Sequence, residues 1–178
     1  MATRNKNLIL MLFVTAAFPL IYLIIGGFPV IISNNGETVV KIKNTPDKTC
    51  NPLSAIDFST GQNEAFLIIS WDDLCDLPNG IPQRRVLICK ENSVLQKMKD
   101  NFIFKISGGD MATIESELIV VKDNTIILQT GIEICENNIG IQNEQTGWAY
   151  STCSQNLCDI FKEFKPYRNP ILNIKKLK

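Results

Sequence analysis

The chain has 178 residues, 45% of them hydrophobic, with 18 Lys+Arg against 18 Asp+Glu, six cysteines and no histidine. That length holds one ordinary domain, the hydrophobic fraction is too high for a disordered chain, and the zero net charge argues against a nucleic-acid partner. Without an imidazole there is no Ser-His-Asp or Cys-His nucleophile pair, no C-x-x-C-H haem attachment and no zinc site that needs histidine.

Residues 7–36 carry no charge, and residues 8–32 are almost continuously apolar (LILMLFVTAAFPLIYLIIGGFPVII). At ~1.5 Å per residue, ~25 positions exceed a ~30 Å hydrocarbon core, so the run reads as a tilted transmembrane helix. Pro19 predicts a kink, which bilayer helices tolerate. Gly26, Gly27 and Pro29 end the regular helix near Ile25, with the chain extended through Ile32. Two other readings are a signal peptide cleaved near Ala17, releasing a secreted soluble effector or inhibitor, and a buried core helix. A signal peptide has a shorter apolar region of ~7–15 residues, and charge-free runs this long are rare in cores. An uncleaved signal anchor fits better than either. Arg4 and Lys6 favour a cytoplasmic N-terminus, but Lys41, Lys43 and Lys48 on the far side almost balance them.

Cysteine usage decides the orientation. Cys50, Cys75, Cys89, Cys135, Cys153 and Cys158 all follow the apolar run. An even set in a small exported domain reads as disulfides, which require an oxidising compartment outside the cytoplasm. No C-x-x-C occurs, so neither a zinc ribbon nor a thioredoxin-type redox pair is expected, and no metal or other cofactor is assigned. Cys75 with Cys89, flanking a Pro/Gly-rich connection, is the best single pair. Cys153 and Cys158 lie on one predicted helix, too far apart and too divergent to bond to each other.

Further along, short apolar runs alternate with turn residues. Strands are expected over residues 38–43, 65–71, 85–89, 102–106, 118–122, 125–130, 132–136 and 147–151, rich in Val, Ile, Phe and Thr. The firmest hairpin is 117–130, where Asp123-Asn124 tolerates the positive φ of a type I′ turn. Helices are expected from Glu91 to about Lys99 and from Thr152 to about Lys165, the second opened by a Thr152–Gln155 capping box and ended by Pro166. The fold class is therefore α+β or mainly β. A transmembrane helix precedes a small antiparallel β-rich domain with a C-terminal amphipathic helix. Three regions result: a cytoplasmic stub and anchor over 1–33, an extracytoplasmic β-rich domain over 34–165, and a basic tail over 166–178.

Charge is segregated although it sums to zero. Residues 34–161 hold ten Lys+Arg and seventeen Asp+Glu, whereas residues 162–178 hold six Lys+Arg and one Glu. Lys162, Lys165, Arg168, Lys175, Lys176 and Lys178 are thus candidates for contact with anionic headgroups or an acidic partner. Trp148 and Tyr150 alternate on a predicted strand and form a candidate binding ledge. Asp72, Asp73 and Asp76 lack the ligand order of a calcium loop and read as a polar turn. No N-x-[ST] sequon occurs, which favours a bacterial inner membrane and periplasm over a eukaryotic surface. Together these features describe a non-enzymatic structural or interaction subunit of a cell envelope. It would contact lipid through residues 8–32 and a protein partner through its domain. The alternative is an envelope enzyme, either a carboxylate-based hydrolase or a thiol–disulfide exchanger using Cys153, whose thiolate a helix N-terminus would favour.

Overall fold

The computed structural model describes residues 11, 15, 17–19, 21, 28–32, 49–107, 114–135, 138–143 and 147–176. Within them, β-branched and aromatic runs form β1 (Val30–Ile32), β2 (Thr49–Cys50), β3 (Asn63–Ile68), β4 (Val86–Cys89), β5 (Phe104–Ile106) and β6 (Glu117–Lys122). They are followed by β7 (Thr125–Cys135), β8 (Asn138–Asn143), β9 (Gly147–Ser151), β10 (Lys165–Pro166) and β11 (Ile171–Asn173). Two α-helices, α1 (Asn92–Asn101) and α2 (Ser154–Lys162), complete a mainly β fold. Nine strands make one sheet in the order β10-β4-β3-β6-β7-β8-β9-β5-β2, and all its pairings are antiparallel. The first and last strands, β1 and β11, form a separate parallel ribbon with Val30 opposite Ile171.

The sheet buries both faces at its centre. On one face Leu67 of β3, Val120 of β6 and Ile132 of β7 pack with Leu95 and Met98 of α1 and with Leu157 and Phe161 of α2. On the other face Phe66 and Ile68 of β3 and Ile119 and Val121 of β6 meet Leu172 and Ile174 from the C-terminal segment, with Ile31 of β1 packed against them. Two-sided burial is why residues 65–69 and 118–121 read as continuous apolar runs instead of alternating ones. Each such side chain, fully buried, stabilises the fold by about 1.5–3 kcal/mol.

The β6–β7 hairpin forms as the sequence indicates. Asp123 and Asn124 take φ of 49° and 62°, the left-handed pair that a two-residue primed turn demands. The Asp123 carboxylate also accepts from the Gln62 backbone N–H at 2.8 Å, tying the turn to the start of β3. Residues 125–130 and 132–136, expected as two strands, are one eleven-residue strand through Cys135. β8 was not expected at all. The expected strand over 38–43 lies outside the described residues.

Helix α2 begins where expected, but not by the expected cap. Its N-cap is Cys153, and no side chain there bonds the helix end. The Thr152 hydroxyl instead donates to the Ile103 carbonyl at 3.1 Å, and Ser154 Oγ accepts from the Ile139 N–H at 3.1 Å. Tertiary partners in the sheet therefore displace the local capping box.

The C-terminal segment runs along the sheet edge and then crosses its second face. Lys165 and Pro166 pair with β4, the Tyr167 N–H donates to the Val86 carbonyl, and Leu172 and Ile174 are buried. At the other terminus, the described positions of the apolar run up to Ile21 are helical. Among the described residues no helix is long and apolar enough to cross a membrane.

Candidate functional site

The most distinctive surface lies where the apolar run meets the domain. β3 ends at Ile68, and the chain then turns: the Ser70 N–H bonds Ser116 Oγ at 2.9 Å, and Ser70 Oγ accepts from the Asp73 N–H at 3.0 Å. Ser116 in turn donates to the Asp73 carboxylate. This buried hydroxyl pair fixes the turn and leaves Trp71 outside it, 59% exposed.

Two groups hold the indole. The Phe28 ring lies against it with centroids 4.8 Å apart, tilted by 34°, and the Arg85 guanidinium sits 4.7 Å from the ring centroid, a cation–π contact. Arg85 is placed by the β3–β4 pairing, because its carbonyl accepts from the Ile69 N–H at 2.8 Å. Partial burial pushes the guanidinium pKa down and the nearby Glu115 carboxylate opposes that shift, so the group stays cationic near neutrality. Two residues beyond Phe28, Val30 stands in register with Ile171, and both are about half exposed.

Seven large apolar side chains are exposed among the described residues: Met11, Phe18, Ile21, Val30, Trp71, Tyr150 and Ile171. Scattered exposed apolar residues are ordinary on soluble domains. Here the first four belong to the apolar run itself, Trp71 stacks on its Phe28, and Ile171 pairs with its Val30. Only Tyr150 lies elsewhere, so the distribution is not scattered.

Sequence reasoning did not single out Trp71 or Arg85, which read as the end of one expected strand, beside an acidic turn, and the start of the next. The signal was present in Trp71 itself, an aromatic directly followed by Asp72-Asp73, while the strand expected through residue 71 ends at Ile68.

The other candidates fall into separate places. Trp148 and Tyr150 share a face and meet edge-on at 5.7 Å, but Trp148 is 1% exposed and lies on Gly140, so only Tyr150 reaches solvent. The buried Trp148 Nε1 has no hydrogen-bond partner among the described residues. Lys162 pairs with Asp159 at 2.7 Å and Lys165 pairs with Glu91, which raises the lysine pKa in each case. Arg168 and Lys175 are exposed. The side chain of Lys176, and Lys178 altogether, lie outside the described residues.

The six cysteines are free thiols in the structure. Cys89 ends β4 opposite Ala65, with its sulfur 3.9 Å from the Glu91 carbonyl. Cys75 closes the short turn that follows β3, exposed, between Asp73 and Asp76, whose charges act on Cys135. Cys158, buried under α2, points its sulfur at the Cys135 carbonyl, 3.9 Å away. Burial pushes the Cys50 and Cys89 thiols up, and burial with the Glu133 carboxylate does the same to Cys135. Among the described residues no group of acidic or cysteine side chains is arranged to hold a metal ion. Comparison of the chain with protein-family models, curated proteins and solved structures finds no match.

Proposed function

We propose that the chain is a single-pass membrane protein. Residues 8–32 anchor it, with the N-terminus in the cytoplasm, and the β-rich domain serves on the far side as a structural or interaction subunit of a cell envelope. The observation that supports this most is the clustering of exposed apolar side chains. Met11, Phe18 and Ile21 are exposed in the structure, and Val30, Trp71 and Ile171 lie around the point where the run arrives. In water each such side chain, about half or more exposed, forgoes roughly 1–2 kcal/mol of burial, which a bilayer restores. Anchor and domain also join without a spacer, since Val30 already belongs to the ribbon that closes the second core face.

The extracytoplasmic side rests on Arg4 and Lys6 preceding the run and on reading the six cysteines that follow it, free thiols in the structure, as disulfide-forming in an oxidising compartment. Cys75 is a built-in reporter of sidedness. In intact spheroplasts of an expressing bacterium, after mild reduction, a membrane-impermeant maleimide is expected to label the full-length chain, and Cys75→Ser should remove most of that label. Cys50 and Cys89, buried and with raised pKa values, should react only after denaturation. Labelling of Cys75 that appears only after lysis would place the domain in the cytoplasm and overturn the assignment.

A further inference from the structure

We propose that the Trp71 cluster seats the domain on the lipid headgroup layer, so that one end of the sheet lies on the membrane instead of hanging from it. The proposal rests on the anchor reading and adds an orientation to it. Residues 8–25 make eighteen positions, which as a helix span ~27 Å, close to the ~30 Å of the hydrocarbon core, and Gly26-Gly27 lead on from it. Phe28 then emerges at the boundary between acyl chains and headgroups. Trp71 lies against Phe28, so the indole stands at the same depth. Val30 and Ile171, side by side in the ribbon, place two more half-exposed apolar side chains just beyond.

The chemistry of the cluster suits that depth. An indole prefers the interface, where its ring meets acyl chains and its N–H meets water or phosphate. Arg85 lies against the ring and carries a guanidinium whose planar donors match a lipid phosphate. An exposed Trp on a half-buried Phe, with half-exposed Val and Ile close by, is a poor surface to hold in water. The continuity of this surface with the apolar run selects lipid as its cover over a second copy of the chain or another protein.

The chain has two tryptophans, and Trp148 is buried, so collisional quenching reports on Trp71 above an unquenched Trp148 background. The full chain is reconstituted in phosphatidylcholine vesicles that carry a quencher either near the headgroup end of the acyl chain or near its methyl end. The shallow quencher is expected to reduce emission about twofold more than the deep one, as for an interfacial tryptophan. Trp71→Phe should abolish that difference, and aqueous iodide should quench weakly. Trp71 sits outside the core, so this variant keeps the fold; its far-ultraviolet dichroism checks that. If the protein floats with the vesicles while iodide quenches Trp71 and lipid quenchers do not, the seating is wrong and the anchor stands. If neither quencher reaches Trp71, a protein covers it and the seating is again wrong. If the chain does not float with the vesicles, the anchor reading fails and the seating falls with it.

Discussion

Gly140→Ala is expected to destabilise the domain by roughly 3 kcal/mol, near the upper end for overpacking a filled core, and to lower its melting temperature by about 10 °C. A methyl group at Gly140 would stand 2.2 Å from two carbons of the Trp148 ring, a separation that no Cβ adopts. The ring is buried, so either the indole leaves its rotamer or β8 moves away from β9. Gly131→Ala makes the comparison. There the added atom meets the Gln142 carbonyl at 3.3 Å and Ile114 at 3.4 Å, and a few tenths of an ångström of relaxation suffice. Trp148→Phe should restore part of the loss when combined with Gly140→Ala, giving a coupling of about 1 kcal/mol or more, because the smaller ring vacates the contested space. Among the described residues Trp148 Nε1 has no partner to lose, so that substitution chiefly removes shape. Equal costs for Gly140→Ala and Gly131→Ala in chemical denaturation would mean that Trp148 does not sit on β8.

The second large effect concerns the anchor. Residues 8–27 contain twelve Leu, Ile, Phe or Val side chains, worth together about 4–7 kcal/mol for insertion at ~0.3–0.6 each. Two arginines near the midplane cost about 5–7 kcal/mol on the same scale, enough to reverse the balance. Phe18→Arg with Ile21→Arg is therefore expected to stop the chain from inserting. Both side chains are exposed in the structure, so the domain itself should unfold at an unchanged denaturant concentration. A buried core helix would give the opposite pair of results: loss of domain stability and no change in vesicle flotation.

Much of the sheet was readable because local chemistry and tertiary packing agree. The Asp123-Asn124 turn needs positive φ twice and has the residues for it, so the hairpin can be placed to the residue. Residues 65–69 and 118–121 are apolar on successive positions, and they are central strands covered on both faces. Where the two levels separate, sequence reading fails. β8, Asn138–Asn143, offers only Ile139 and Ile141 among polar residues and a glycine, which is loop composition. It becomes a strand because those two isoleucines reach the core while Gly140 leaves room for Trp148. The capping box at Thr152 is genuine sequence grammar, overridden by a carbonyl from residue 103. The parallel β1–β11 ribbon joins residues about 140 apart through strands of three residues each, and no local pattern marks so distant a pairing.

The candidate site was less readable for the same reason. Nothing in Trp71, Arg85 or Phe28 alone states that they meet, because three separate elements bring them together. The aromatic pair that the alternation did mark, Trp148 with Tyr150, is real as a pair, and one of the two belongs to the core. The basic residues at the C-terminus are charged as counted, yet Lys162 and Lys165 already hold acidic partners on the domain, and Leu172 and Ile174 among them are buried. Charge counting locates a tail without showing that its backbone closes the second core face.

The measurement that tests membrane anchoring most directly is alkaline carbonate extraction of the native full-length chain from isolated membranes. A chain held by residues 8–32 stays in the membrane pellet at high pH and leaves it only in detergent, with an intact N-terminal segment by mass. Recovery of the chain in the carbonate supernatant, or a mature form beginning just after Ala17, would contradict the anchor.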